Sequence, residues 1–340
     1  MRACLYTSIC LSIGLFATAA VATSPLPLGN NPLLPEDAPR YWAESLSGGP
    51  GKDGIPSIDQ PRWWDAEEGD AFLRPDDRII GVYRNGEARA YPQRILVWHE
   101  IVNDTIDGDN VSITYCPLTG TALGFLRGDN ELGVSGRLVN SNLIMYDRGT
   151  DTYWPQILAA GIHGPHKGEK LQEFRVFWTT WQRWVERHPD TRVLSDRTRF
   201  ARNYNRDPYG SYTPISGYYA PNAGRMFPVM HEDERYPPKQ EVFGFRTATE
   251  AVAINLDRLR ADGALVHQGA DEDYLILHDP GLDTAWVYRG ETDSLAALEN
   301  VEFNADGPQH PALADLEPVN GFEAMWFAWT AFYPDTVVIE

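Results

Sequence analysis

The chain has 340 residues, of which 43% are hydrophobic and 12% aromatic, so it has enough apolar side chains to build a folded core. Its 48 acidic and 29 basic residues give a net charge of −19. A surface of this sign repels nucleic acid and anionic lipid, and we exclude both as partners.

The N-terminus has the pattern of a secretory signal peptide. Arg2 precedes an apolar stretch that ends in the small-x-small sequence Ala20-Val21-Ala22. The stretch is shorter than the roughly 20 residues that span a bilayer, and no later stretch is long and apolar enough. We therefore predict a signal peptide over residues 1–22 and a secreted or periplasmic protein with no membrane span after cleavage. An uncleaved membrane anchor is the alternative.

Local patterns predict the next elements. Residues 23–60 are rich in Pro, Gly and Ser and lack periodicity, which indicates an extended linker. Asn85-Gly86 lies between two short strand patterns and predicts a hairpin. Residues 111–116 alternate apolar and polar side chains, as in a strand. Aromatic residues at helical spacing over 178–188 predict a helix that Pro189 ends.

Three blocks of the first half recur in the same order in the second half. They are residues 79–96 and 242–259, residues 142–154 and 274–286, and an aromatic helix followed by Pro-Asp-Thr in each half. We therefore predict a strand-rich α+β fold of two diverged repeats, each with a sheet and a packed aromatic helix. The repeats cover 61–200 and 241–340, and residues 201–240 form an irregular connector.

The first repeat carries a block, within residues 98–122, that the second lacks. It contains Cys116, the only cysteine outside the predicted signal peptide, which holds Cys4 and Cys10. A lone thiol in an oxidising compartment is buried, bound or used. The block is therefore the candidate functional site, and the alternative is a deletion in a purely structural second copy. From strand alternation we expect the sulfur to face a polar cleft that His99 also reaches, together with Asn103 or Asp104.

The ordered segments HEIVND, YCPL-x-G-T-A, NLIMYD, DT-x-W and YPDT resemble an uncharacterised family of exported proteins, the domain of unknown function 3179. The resemblance covers roughly residues 55–340. Family members usually carry a second cysteine at the position of Thr119 in this chain. The resemblance implies a shared site and no particular activity, and the missing cysteine argues against a two-thiol redox cycle.

Three kinds of site are open at this point. Thiolate, imidazole and thioether ligands suit copper, so Cys116, His99 and Met145 form a candidate metal site, with His163 or His166 as further ligands. Their spacing matches no compact metal motif.

The second kind of site is a nucleophilic one, in which Cys116 is activated by His99, and His99 is oriented by Glu100 or Asp104. A buried structural cysteine is the alternative to both of these sites. The third kind is a non-catalytic cleft for a sugar or peptide, lined by the Tyr-rich and Trp-rich segments. The sequence predicts metal- or thiol-dependent redox chemistry around Cys116, catalysed by Cys116, His99 and Asp104, with copper as the candidate cofactor and a small molecule or peptide as substrate. Non-catalytic binding of a sugar or peptide is the alternative.

Overall fold

The computed structural model describes residues 38–247, 249–270, 272–290 and 300–340. The predicted signal peptide, with Cys4 and Cys10, and residues 23–37 of the predicted linker lie outside these ranges. None of the helices in the described part of the chain has the length and hydropathy of a membrane-spanning segment.

Short helices join the strands. They are α1 Ala38–Ala43, α2 Ala66–Phe72, α3 Gln93–Leu96, α4 Trp181–Arg187, α5 Leu256–Asp262 and α6 Trp326–Phe332, with a 3-10 helix at Pro311–Leu313. A capping box starts α2: the side chain of Asp65 accepts from the backbone of Glu68, and the Glu68 side chain accepts from the backbone of Asp65.

The strands dominate the described chain. The first thirteen are β1 Leu46–Ser47, β2 Trp63–Trp64, β3 Arg78–Arg84, β4 Glu87–Pro92, β5 Ile101–Ile106, β6 Asp109–Cys116, β7 Thr121–Leu126, β8 Leu132–Val139, β9 Asn142–Asp147, β10 Tyr153–Pro155, β11 Glu173–Phe174, β12 Phe177–Thr180 and β13 Arg192–Leu194. The others are β14 Gly210–Tyr212, β15 Ile215–Gly217, β16 Glu241–Arg246, β17 Ala251–Asn255, β18 Ala264–Gln268, β19 Asp273–Asp279, β20 Thr284–Arg289, β21 Glu302–Asn304, β22 Gly307–Gln309, β23 Glu317–Val319, β24 Gly321–Met325 and β25 Val337–Ile339.

Five sheets of four or five strands form a five-bladed β-propeller arrangement. In strand order, blade 1 is β12-β3-β4-β13-β2, blade 2 is β11-β7-β6-β5, blade 3 is β1-β8-β9-β10, blade 4 is β24-β16-β17-β25 and blade 5 is β18-β19-β20-β23. Two further hairpins, β14–β15 and β21–β22, stand outside the blades. A full set of blades protects sheet faces and edges that a single sheet would expose.

The predicted architecture of two repeats, each with one sheet and one helix, is wrong. Blade 1 shows why the sequence pattern gave the wrong architecture. Strands β12 and β13 complete the sheet of β3 and β4 from about 100 residues further along the chain. Such long-range pairing leaves no local periodicity in the sequence. The block that the second half lacks supplies β5, β6 and the first residues of β7, and these are the three longest strands of blade 2.

The matching sequence blocks nevertheless lie in like positions of like blades. Gly81 of β3 packs under Trp184, and Gly244 of β16 packs under Trp329. The carboxylates of Asp147 and Asp279 accept the indole N–H of Trp154 and Trp286 at 3.1 and 3.3 Å. The matches therefore relate blade 1 to blade 4 and blade 3 to blade 5, and they do not divide the protein into two repeats.

The described part of the predicted linker, residues 38–60, packs along the blades. β1 pairs with β8, with Leu46 opposite Leu138. Ile58 is buried and bridges to Val102 of blade 2. This segment covers the outer strands of blades 2 and 3.

Candidate functional site

Cys116 is the last residue of β6, and a tight turn follows it. The backbone N–H groups of Thr119 and Gly120 both donate to the carbonyl of Cys116, at 3.3 and 2.9 Å. Gly120 has a φ of +64°, which glycine adopts at little cost. The turn returns the chain into β7, where Thr121 is the register partner of Cys116.

The sulfur of Cys116 is sealed inside the protein. The residue is 1% exposed and belongs to a large apolar cluster that also contains Met145. Its Sγ accepts the backbone N–H of Leu143 at 3.4 Å and lies 3.8 Å from the carbonyl oxygen of Ser141. Burial, and next the charge of Glu100, raise the pKa of the thiol to about 11. The thiol is therefore protonated at neutral pH and is not a ready nucleophile or metal ligand.

The expectation of a polar cleft in front of the sulfur is wrong, although strand alternation gave the correct face. Val111, Ile113 and Tyr115 pack into one apolar cluster, and Cys116 lies in the other. The polar face of β6 meets a neighbouring blade instead of solvent, because Thr114 accepts from the buried side-chain amide of Gln156 at 2.8 Å.

That contact is part of a buried polar network between blades 2 and 3. Gln156 also accepts from Thr121 at 2.7 Å and from Asn142 at 3.0 Å. Asn142 donates to Thr119 at 3.1 Å. Each of these groups has a partner, so the network fixes the Cys116 turn against blade 3.

His99 is buried, and both of its ring nitrogens are engaged. Nδ1 donates to the carbonyl of Pro56, and Nε2 accepts from the hydroxyl of Tyr204, each at 2.7 Å. The ring also packs on Phe200. Burial lowers its pKa to about 4, so the imidazole is neutral at pH 7. Among the described residues, the hydrogen bonds and ring contacts of His99 do not include Cys116.

Asp104 lies on the opposite face of blade 2 from Cys116. It is the register partner of Val111, and its carboxylate accepts the hydroxyl of Tyr91 at 2.6 Å. Asn103, on the face of Cys116, bonds with Ser112 at 2.6 Å. The sequence-predicted catalytic residues Cys116, His99 and Asp104 therefore each have separate partners.

The predicted metal ligands do not converge either. Met145 is fully buried in β9, opposite Trp154. His163 stacks on Trp42 with 4.0 Å between the ring centres, and His166 bonds with Glu169 at 3.1 Å. In the described ranges, no group of three or more His, Cys, Asp and Glu side chains is arranged to hold a metal ion.

Glu100 is the ionisable group that does come close to Cys116. It is 6% exposed and has a φ of +59°, which is rare for a residue with a side chain. Its backbone carbonyl accepts from Tyr115 at 2.7 Å. Within the described residues its carboxyl group receives no hydrogen bond, and burial alone raises its pKa to about 8. The carboxyl group is therefore largely protonated at pH 7.

The connector 201–240 forms the cover of this region. The hydroxyl of Tyr218 donates to the carbonyl of Leu118 in the Cys116 turn at 2.8 Å. Ser141 donates to the carbonyl of Phe227 at 2.8 Å. The Tyr209 ring contacts that of Tyr218, and the pKa of Tyr209 is raised by burial and by the charges of Glu100 and Cys116.

A cavity of about 330 Å³ opens beside the Cys116 turn, and we call it the Lys239 pocket. Its walls come from the turn, the connector, β16, α5 and Met325: Gly120, Tyr212, Ile215, Tyr219, Pro221, Lys239, Gln240, Glu241, Asn255, Leu256, Asp257, Arg260 and Met325. Tyr212 and Tyr219 are stacked with 4.1 Å between ring centres.

Lys239 is the notable side chain of this pocket. It is 4% exposed, and its ammonium group donates to the backbone carbonyls of Tyr218 and Gly224. Within the described residues it has no carboxylate partner. Burial lowers its pKa to about 8. Sequence reasoning missed Lys239, and its one signal was a lysine after two prolines in a chain poor in lysine.

Comparison with known proteins identifies one family. No curated protein and no solved structure matches the chain. The family described as "Protein of unknown function (DUF3179)" matches residues 52–336. This range includes the strands of all five blades except β1 and β25, and with them the Cys116 turn and the connector that covers it. The chain therefore belongs to the DUF3179 family.

Proposed function

We propose that the protein binds a small ligand with a carboxylate group in the Lys239 pocket. The ligand is either a short peptide or an acidic sugar. The observation that carries the proposal is the buried ammonium group of Lys239, which lacks a carboxylate partner among the described residues of a chain with net charge −19. Buried charges are normally paired. A ligand carboxylate would supply that pair through a charge-assisted hydrogen bond.

The remaining walls suit the rest of such a ligand. Glu241 and Asp257 line the pocket and can accept from the ammonium group of a peptide or from sugar hydroxyls. Tyr212 offers ring surface, and the buried ring of Tyr219 stacks on it. The volume of about 330 Å³ is at the small end of the range for ligand sites.

Binding has more support than metal- or thiol-dependent redox chemistry. The thiol of Cys116 is buried and protonated, and both nitrogens of His99, the predicted base, are engaged elsewhere. The predicted ligands Cys116, His99 and Met145 do not form a common site among the described residues.

Titration calorimetry with four probes tests the proposal. Triglycine and glucuronate carry the carboxylate, and triglycine amide and methyl glucoside are their neutral counterparts. We expect at least one acidic probe to bind, with its neutral counterpart at least about tenfold weaker. Stronger binding of triglycine identifies a peptide site, and stronger binding of glucuronate identifies a sugar site.

Lys239→Met is the matched variant, because it removes the charge and keeps an unbranched apolar chain. It should bind acid and neutral probes equally, whereas Lys167→Met, at an exposed lysine outside the pocket, should bind like the wild type. Affinity for the acidic probe should fall as the pH rises above about 8, since Lys239 then loses its proton. Equal affinity of the wild type for acidic and neutral probes, or no binding of any probe, would reject the proposal.

A further inference from the structure

A second cavity lies on blade 1, away from the Lys239 pocket, and we call it the Arg89 cavity. Its volume is about 420 Å³, and it shares no lining residue with the Lys239 pocket. It is bounded by the Asn85-Gly86 turn, by the segment after α4 and by Ala305 of the β21–β22 hairpin. The lining includes three arginines, Arg89, Arg187 and Arg192, in a strongly acidic protein.

Arg89 is more than nine-tenths buried, and its guanidinium group is incompletely paired. Its Nη2 donates to one carboxylate oxygen of Glu87 at 2.7 Å, and the group lies 4.6 Å from the centre of the Trp63 ring. Its Nε and Nη1 are buried and have no hydrogen-bond partner among the residues that the structure describes. Unpaired buried donors of a charged group cost free energy, so two such donors on one side chain point to a missing acceptor.

Arg192 is placed directly beside Arg89. Strand β13 runs parallel to β4, and Arg192 is the register partner of Arg89. Register partners project from the same face of a sheet, and like charges at such positions are destabilising. Arg192 is exposed, and no ion pair with a described residue compensates it. An anion between the two guanidinium groups would offset the repulsion between them and would supply the missing acceptor.

The other charged groups around the cavity are paired or exposed. Arg187 is held by Asp279 through two hydrogen bonds of 2.9 and 3.1 Å, and this pair is neutral. Glu87 pairs with one nitrogen of Arg89 and has a half-exposed side chain, and Asp190 is an exposed residue. Burial lowers the pKa of His188 to about 4, so this side chain adds no charge at neutral pH.

We propose that the Arg89 cavity binds a small oxyanion, a carboxylate or a phosphate group, between the guanidinium groups of Arg89 and Arg192. The planar fork of arginine matches two oxygens of such a group, which lysine does not do. In this site Glu87 gives up its contact with Arg89, and the anion oxygens accept from Arg89 and Arg192 together.

Titration calorimetry with sodium phosphate and sodium malonate, at constant ionic strength set with chloride, tests this site. We expect saturable binding of one anion per chain. Tighter binding of phosphate assigns a phosphate group to the ligand, and tighter binding of malonate assigns a carboxylate. Absence of saturable heat with both anions would overturn the proposal.

Variants separate this site from general charge effects. Arg192→Gln should weaken binding at least about tenfold, and its exposed position preserves the fold. Arg89→Lys keeps the charge but loses the fork, and it should also weaken binding. Arg289→Gln removes an exposed, ion-paired arginine outside both cavities and should leave binding unchanged. Wild-type affinity in Arg192→Gln, or an equal loss in Arg289→Gln, contradicts the site.

Discussion

The backbone N–H of Leu143 in blade 3 donates a hydrogen bond to the sulfur of Cys116 in blade 2, with 3.4 Å between the two atoms. The thiol thus joins two neighbouring blades. It is buried, and its pKa is raised to about 11, chiefly by burial. These properties are those of a structural cysteine. Any chemistry in this region therefore depends on the groups around Cys116.

The first prediction concerns the reactivity of Cys116. In the folded protein at pH 8, alkylation of Cys116 should be at least about a hundredfold slower than in urea, because the thiol is both buried and protonated. Mass spectrometry of the peptide that contains Cys116 measures its labelling separately from Cys4 and Cys10. Rapid labelling of the folded protein would show that the sulfur is accessible.

The second prediction concerns Thr119, which lies three residues after Cys116 in the turn. The hydrogen bond from the backbone of Thr119 to the carbonyl of Cys116 defines a β-turn, which holds the two Cα atoms within about 7 Å. Thr119→Cys should therefore form a disulfide with Cys116 on mild oxidation.

Loss of two alkylatable thiols measures this disulfide. Ser112→Cys is the control, because its side chain lies on the same strand face four residues away, beyond disulfide reach. A Thr119→Cys variant that keeps both thiols free under the same oxidant contradicts the turn geometry.

Local features of the fold could be predicted from the sequence. Asn85 and Gly86 both have positive φ and join β3 to β4, as the hairpin signal indicated. The alternation of residues 111–116 gave the strand and its two faces. Both signals arise from neighbours in the chain, so one sequence contains them.

The arrangement of blades and the surroundings of the site could not be predicted in this way. Alternation places Thr114 and Cys116 on one face but does not tell whether that face meets water or Gln156 of the next blade. The sequence also gives no sign that Lys239 would lie beside the Cys116 turn, more than a hundred residues earlier. Both facts depend on long-range closure, which single-sequence patterns do not report.

The third prediction uses Gly81 and Gly244, which pack under tryptophans at matching positions of blades 1 and 4. A Cβ on Gly81 would lie 2.4 Å from the ring of Trp184, and one on Gly244 would lie 2.2 Å from the ring of Trp329. Gly81→Ala and Gly244→Ala should therefore each destabilise the fold, by about 1–3 kcal/mol or more, because both sites are fully packed. Urea unfolding followed by tryptophan fluorescence measures the effect.

Gly224→Ala is the control for this pair, since a Cβ there meets no atom within 4 Å and its φ is not in the left-handed region. It should change the free energy of unfolding by less than about 0.5 kcal/mol. An equally small effect for Gly81→Ala and Gly244→Ala would mean that the tryptophans can move away.

The last prediction concerns the pH dependence that Glu100 gives to stability. Burial raises its pKa from 4.5 in the unfolded chain to about 8 in the folded protein. A raised folded pKa means that its favourable contribution is complete below pH 4.5 and is lost as the pH rises through 8. The titration of Glu100 alone should lower the free energy of unfolding by roughly 3–5 kcal/mol over that range.

Glu100→Gln keeps the shape of the side chain and stays neutral at every pH. Its stability should be close to that of the wild type near pH 5 and higher than that of the wild type near pH 8, as measured by urea unfolding. Cys116 and Tyr209, which face Glu100, titrate at higher pH and do not produce this difference. Glu44→Gln, at an exposed carboxylate, should show no such trend. A stability difference between Glu100→Gln and the wild type that is the same at both pH values would mean that Glu100 is ionised and solvated in the folded protein.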